Sequence, residues 1–220
     1  VDNQYEVSAE AARWRMVEQQ LRARDIVDER VLAAMGKVAR HLFVEPALEP
    51  YAYEDRPLSI GAGQTISQPY IVALMVQLLR VQPWHLVLEV GTGSGYQAAI
   101  LAELAAEVYT VEIIPSLAES AGARLEAFGY RNVYTRQGDG YEGWPEVAPF
   151  DGIVVAAGAP EIPPPLIEQL REGGRIVIPV GITGGTQDLI LGEKRGGRFH
   201  VRSIAPVLFV PLTGKGGAPN

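Results

Sequence analysis

The sequence predicts an α/β fold: a doubly wound, mostly parallel sheet with an N-terminal helical extension and an antiparallel C-terminal hairpin. Three observations carry this. The apolar run Leu86-Val87-Leu88-Glu89-Val90 passes directly into Gly91-Thr92-Gly93-Ser94-Gly95 and then into the helix-forming Tyr96-Gln97-Ala98-Ala99, which reads as strand, tight turn and helix. Apolar runs and helical segments then alternate through Val180, as a parallel sheet with crossover helices requires. Beyond Val180 the alternation stops, and Asp188–Glu193 and Phe199–Ile204 flank Lys194-Arg195-Gly196-Gly197-Arg198 as the arms of a hairpin.

Taken in order, residues 8–24 place Trp14, Val17 and Leu21 at helical spacing behind Ser8 as N-cap, with Arg13, Arg15, Arg22 and Arg24 on the other faces. Asp28 caps a second helix that runs through Val31, Leu32 and Met35 and stops at Gly36. The stretch from Arg40 to Gln64 lacks periodicity and reads as irregular chain wrapped over the domain. Ser67 stands at the start of the next helix, which carries Ile71, Leu74, Met75, Leu78 and Leu79 on one stripe. Because Pro69 has no N–H, the Ser67 hydroxyl is expected to cap by accepting from the Tyr70 amide. A substrate anion would also be favoured at such a helix start.

After the glycine turn come a helix over 96–105, a strand Glu107–Glu112, and a helix from 116 with Leu117, Ala121, Leu125 and Phe128 on one face. A strand Asn132–Arg136 leads to the turn Gly138-Asp139-Gly140, and Phe150–Ala157 forms a buried strand. Pro163-Pro164-Pro165 introduces a helix Leu166–Arg171 closed by Gly173-Gly174, and Arg175–Val180 is the fifth strand. Val207–Thr213 continues from the hairpin, and Gly214–Asn220 reads as a loose tail. The chain is expected to be a single domain, with residues 1–80 as the extension and 84–213 as the α/β core.

The glycine spacing narrows the ligand. A dinucleotide fingerprint needs its third glycine at position 96, which is Tyr96. Glu89, a carboxylate near the C-terminal end of a parallel strand, can instead receive an ammonium group. S-adenosylmethionine, with an amino-acid end, a ribose and an adenine but no phosphate, suits that arrangement. Glu112 ends the next strand 17 residues after Gly95, close to the ~20 at which an acidic residue reaches ribose hydroxyls in such folds. Asp139 lies on the same edge, where it could accept from an adenine amino group or serve only as a turn former.

Composition excludes other classes. The net charge of -7 over 220 residues argues against a partner held through phosphates, so no nucleic acid is expected. There is no cysteine, hence no disulfide framework and no thiolate metal site, and His41, His85 and His200 lie far apart without ligand spacing, so no metal is expected. No apolar run approaches the ~18 residues of a membrane helix, and the N-terminus lacks the regions of a signal peptide. A soluble, cytoplasmic protein follows as the expectation, with no membrane partner.

Several segments together resemble the protein-L-isoaspartate (D-aspartate) O-methyltransferase family over nearly the whole chain. They are Asp28–Met35, Arg40–Val44, Ala52–Leu58, Gly63-Gln64-Thr65-Ile66-Ser67-Gln68-Pro69-Tyr70, the glycine turn, Gly138-Asp139-Gly140, Gly173–Gly181 and Phe209-Val210-Pro211-Leu212. The glycine turn marks only a methyltransferase; Gln64–Ser67 and Val210–Leu212 are the specific segments. The resemblance implies a Rossmann-like class I methyltransferase that binds S-adenosyl-L-methionine and releases S-adenosyl-L-homocysteine. It implies that Ser67 is the active-site serine and that Thr65 and Ile66 flank the isoaspartyl group, with Gln64 and Val210, Pro211, Leu212 and Thr213 bordering the substrate. It further implies that Glu89 with Gly91, Thr92, Gly93 and Gly95 holds the methionyl end, that Glu112 takes the ribose, and that Asp139 between Gly138 and Gly140 takes the adenine. Ala62 stands where many bacterial members have His, and Ala39 where they have Pro.

The chemistry implied is methylation of the α-carboxyl of L-isoaspartyl and D-aspartyl residues in damaged peptides and proteins by a monomer, starting repair through a succinimide. A carboxylate with pKa about 4 is already ionised at neutral pH, so no general base is needed. Alignment and desolvation are the remaining work. The alternatives are a methyltransferase of another acceptor and a non-catalytic homologue that only binds the cofactor.

Overall fold

The computed structural model describes residues 2–182 and 184–215, with backbone only for 2–7. Its frame is a sheet of seven strands among the described residues, in the order β5-β4-β3-β6-β7-β8-β9. The strands are β3 (Leu86–Val90), β4 (Glu107–Glu112), β5 (Val133–Gln137), β6 (Phe150–Val155), β7 (Leu170–Gly181), β8 (Gln187–Arg195) and β9 (Arg198–Val207). Pairing is parallel from β5 through β7 and antiparallel for β7–β8 and β8–β9. The chain therefore steps outward from β3 to β4 and β5, then returns to lay β6 against the other side of β3. That reversal leaves a crevice beyond the C-terminal ends of β3, β4 and β6, where open α/β sheets bind ligands.

Strand alternation divides the core. Val87 packs with α3 (Pro69–Leu79) and α4 (Tyr96–Ala102) on one face, while Leu88 and Val90 pack with Phe150, Leu166 and Leu170 on the other. On the first face α5 (Pro115–Ala127) contributes Leu125, and on the second α6 (Pro164–Glu168) contributes Leu166. Gly196-Gly197 joins β8 to β9 as a two-residue hairpin turn, tighter than the five-residue connection expected.

The N-terminal extension departs from expectation at its start. Helix α1 spans Asp2–Met16 and its continuation widens into a π turn, Val17–Arg22, so Ser8 lies inside the helix and is not its N-cap. Nothing between Asp2 and Ser8 breaks a helix, and extending an existing helix costs little. Val17 and Leu21 are fully buried as expected, whereas Trp14 keeps 45% of its surface exposed and lays its ring over Gly36 of α2 (Glu29–Lys37). A Cβ on Gly36 would stand 2.7 Å from that ring, so the crossing of α1 and α2 depends on its absence. Asp28 caps α2 as expected, accepting from the Arg30 amide.

Residues 40–64 are more ordered than the sequence suggests. They hold two 3-10 turns, Arg40–Phe43 and Pro46–Tyr51, and the first arm of a hairpin, β1 (Leu58–Gly61), whose partner is β2 (Gln64–Ile66). The strand before the hairpin edge also begins earlier than expected: α6 ends at Glu168, and β7 starts at Leu170, ahead of Gly173-Gly174. Leu170 pairs with Phe150, and an irregularity in the ladder absorbs the two glycines before Arg175 pairs with Gly152. The tail expected over Gly214–Asn220 lies, from 216 on, outside the described residues.

Candidate active site

The crevice opens as a cleft lined by the ends of β3 and β4, the glycine turn and the segments 64–67 and 210–213. The glycine turn forms its floor. Gly91, Gly93 and Gly95 take φ values of +91°, +53° and +87°, a backbone that residues with a Cβ rarely adopt. Gly95 serves packing rather than the cleft wall, since a Cβ there would stand 3.2 Å from Leu125 of α5. Over Gly93 lies Ile60 of the β1–β2 hairpin, 3.3 Å from where a Cβ would be, so the hairpin closes directly onto the turn.

Glu89 faces the cleft from β3 with no solvent exposure. Thr110, its register partner on β4, donates to Glu89 Oε2 at 2.6 Å, and Thr92 Oγ1 meets Thr110 Oγ1 at 2.6 Å. Glu89 Oε1 and Gln97 Nε2 have no hydrogen-bond partner among the described residues, though both line the cleft. Burial pushes the Glu89 carboxyl up to about 8; the Thr110 bond opposes this, the nearby Glu112 charge adds to it, and Gln97 opposes it weakly. Glu89 Oε1 as acceptor and Gln97 Nε2 as donor, facing the same cleft, fit the ammonium and carboxylate of an amino-acid group.

Glu112 ends β4 at 5% exposure. Its Oε2 accepts from Gly93 N–H at 2.8 Å and its Oε1 from Ile114 N–H at 3.0 Å. Each carboxylate oxygen has a second lone pair, so the group can still accept from a diol. Among the described residues, the lining contains these two carboxylates and no lysine, arginine or histidine. Such a wall suits a ligand carrying positive charge and opposes a pyrophosphate.

The opposite wall comes from two segments. Gln64, Thr65, Ile66 and Ser67 enter along β2 and the turn before α3. Val210, Pro211, Leu212 and Thr213 are held as an added ladder beside the end of β6. Gly158 N–H donates to Val210 O at 2.8 Å, and Leu212 N–H donates to Gly158 O at 2.7 Å. Gln187, nearly fully buried, pins the approach by accepting from Phe209 N–H at 2.8 Å.

The expected cap is a correction. Ser67 does not accept from the Tyr70 amide: α3 has Gln68 as its N-cap position, without a side-chain cap from that residue. The Tyr70 N–H donates instead to Asp55 Oδ1 at 3.1 Å. Ser67 makes no hydrogen bond among the described residues and lines the cleft.

Of the residues singled out in the sequence, the cleft brings together Gln64, Thr65, Ile66, Ser67, Glu89, Gly91, Thr92, Gly93, Glu112, Gly140, Val210, Pro211, Leu212 and Thr213. Gly95, Gly138 and Asp139 are not part of its lining. Asp139 acts as a cap: its Oδ1 accepts from Tyr141 N–H at 3.0 Å and its Oδ2 from Lys215 N–H at 2.8 Å. Sequence reasoning missed Gln97, Thr110 and Asp55. Gln97 faces the cleft from the first turn of α4, and Thr110 sits two residues before the strand-end carboxylate, so strand register was the available signal.

The sequence profile described as "Protein-L-isoaspartate(D-aspartate) O-methyltransferase (PCMT)" matches residues 12–217. The chain is 57% identical over 209 residues to a protein-L-isoaspartate O-methyltransferase of Opitutus terrae, covering 95% of this chain and 90% of that one. It is 62% identical over 190 residues to a protein-L-isoaspartate O-methyltransferase 2 of Polaromonas sp., covering 86% of this chain and 90% of that one. A solved Plasmodium falciparum structure bearing the same family name, in complex with S-adenosyl-L-homocysteine, superposes with a TM-score of 0.80 at 27% identity. It covers 91% of this chain and 98% of that one. With its seven-stranded sheet, glycine turn and paired cleft walls in place, the chain belongs to the protein-L-isoaspartate (D-aspartate) O-methyltransferase family.

Proposed function

We propose that this enzyme uses S-adenosyl-L-methionine to methylate the α-carboxyl of L-isoaspartyl and D-aspartyl residues in damaged peptides and proteins. The observation that carries the reading, beyond family membership, is a cleft with two carboxylates and no side chain placed to act as a general base. Glu112 already accepts two amides, Glu89 is taken up by the cofactor's ammonium, and burial pushes the Tyr96 phenol well above its ordinary range. A hydroxyl or amine acceptor would need its proton removed; a carboxylate attacks as it stands.

When bound, the cofactor supplies an electrophilic methyl carbon on a sulfonium. Glu89 Oε1 then receives the ammonium of its amino-acid end, the Gln97 amide donates to the adjoining carboxylate, and Glu112 accepts from the ribose hydroxyls. The Ser67 hydroxyl donates to one acceptor oxygen, which orients the carboxylate without protonating it. The Gln64–Ser67 and Val210–Thr213 walls keep water from the attacking oxygen, whose hydration would otherwise blunt it. Off the enzyme the neighbouring backbone nitrogen attacks the ester carbonyl, methoxide leaves and takes up the amide proton as methanol, and the resulting succinimide hydrolyses in part to normal aspartate.

The net charge of -7 supports a peptide rather than a nucleic-acid partner, and among the described residues no helix is long and apolar enough to cross a membrane. We read the protein as a cytoplasmic monomer. Matched peptides that differ only in an isoaspartyl or aspartyl linkage, incubated with methyl-labelled cofactor, test the proposal. Label should enter the isoaspartyl peptide alone; equal labelling of both, or of neither, contradicts it.

A further inference from the structure

We propose that Asp55, held by Arg24, is a positioning residue that sets the Ser67 hydroxyl in the cleft. The inference rests on the reading of Ser67 as the residue that orients the acceptor.

Pro69 opens α3. With no N–H at that position, the first amide of α3 that needs an acceptor belongs to Tyr70, and the nearest hydroxyl in sequence is Ser67. Were Ser67 to take that bond, its lone pairs and rotamer would be fixed by capping and turned away from substrate. Asp55 relieves it from across the chain. Its Oδ1 accepts from Tyr70 N–H at 3.1 Å, and its Oδ2 accepts from Gln68 Nε2 at 2.8 Å, so the residues on either side of Pro69 are tied to one carboxylate.

That carboxylate is itself fixed from behind. Arg24 Nη1 donates to Asp55 Oδ2 at 3.0 Å, and the same guanidinium lies 3.3 Å from the centroid of the Tyr70 ring. Tyr70 Oη donates to Asp25 Oδ1 at 2.8 Å, and Gln20 Nε2 donates to Tyr53 O at 2.8 Å. The end of the N-terminal helix thus grips both the segment that carries Asp55 and the helix that Ser67 precedes. Ser67 is left with a fixed backbone and a hydroxyl that no described residue uses.

A double-mutant cycle with Ser67→Ala and Asp55→Ala tests this, read by kcat/KM on an isoaspartyl peptide and by calorimetric affinity for S-adenosyl-L-homocysteine. Asp55→Ala should lower kcat/KM about tenfold, the rate equivalent of one hydrogen bond of ordinary strength, with affinity for S-adenosyl-L-homocysteine within about twofold. In the Ser67→Ala background the same change should cost less than about twofold, because Asp55 acts through the serine. Asp55→Asn keeps an acceptor for the Tyr70 amide and should recover part of the loss; it serves as the test variant if Asp55→Ala does not fold. A full loss that persists without Ser67, or a parallel fall in affinity for S-adenosyl-L-homocysteine, overturns the proposal. A Ser67→Ala enzyme that keeps full kcat/KM removes the serine reading itself, a different failure from additivity in the cycle.

Discussion

On the sheet side of the cleft, Glu89 and Thr110 are completely buried and joined at 2.6 Å; on the facing side, Asp55 and Arg24 leave 24% and 45% of their side chains in solvent. The sheet side is fixed by main-chain geometry, namely strand ends, a left-handed glycine turn and register. The facing side is fixed by a few polar bonds between segments remote in sequence. Buried charge is costly to misplace and half-exposed charge is not, so the first wall should be rigid and intolerant of change, and the second adjustable. That division suits a cofactor of one shape and acceptors in many peptide contexts.

The sharpest way to break this contrast is Glu89→Gln, which leaves the bound ammonium without its counter-charge in a dry wall. Affinity for S-adenosyl-L-homocysteine should fall about a hundredfold, within the range for truncating a buried, hydrogen-bonded charge pair. The sign of the pH effect follows from the same burial. The carboxyl is held at about 8 against an ordinary 4.5, so between those values the free folded protein carries a proton that the unfolded chain has lost. Its contribution to stability therefore falls as pH rises through that window. Binding an ammonium ionises the group, so affinity for S-adenosyl-L-homocysteine should climb toward pH 8 with release of a proton, measurable by calorimetry in buffers of different ionisation enthalpy. Glu89→Gln should abolish the release and stabilise the cofactor-free protein above pH 8. Proton release that persists in the variant would place the titrating group elsewhere.

A smaller effect is expected at the hairpin on the facing wall. Ala62 stands at its tip with φ +50°, exposed and outside the cleft lining. An alanine in that region costs about 1–2 kcal/mol, and Ala62→Gly should return about 1 kcal/mol or less after glycine's own entropy loss. Thermal unfolding should show the gain with kcat unchanged. A fall in kcat would mean that the strained tip shapes the acceptor side.

The contrast between the walls also explains what could be read before the structure. The glycine turn, Glu89 and Glu112 were legible because a strand end and a main-chain turn constrain residue type within a few positions. Thr110 required knowing that β4 pairs with β3 so that Thr110 faces Glu89. Asp55 lay in a stretch without periodicity, and its bonds reach 31 residues back to Arg24 and 15 ahead to Tyr70, a pairing that no local pattern encodes. Asp139 was expected at the crevice edge, yet it stands outside the cleft lining and its oxygens accept from Tyr141 and from Lys215, whose approach depends on how the end of the chain returns.

On the proposed mechanism the acceptor arrives already ionised, and no protein group must take its proton. The pH dependence of kcat at saturating cofactor and isoaspartyl peptide addresses it most directly. With Glu89 already ionised by the bound ammonium, kcat should stay level between about pH 6 and 8, while the affinity for cofactor changes across the same range. A one-proton rise in kcat within that window would reveal a general base and contradict the account.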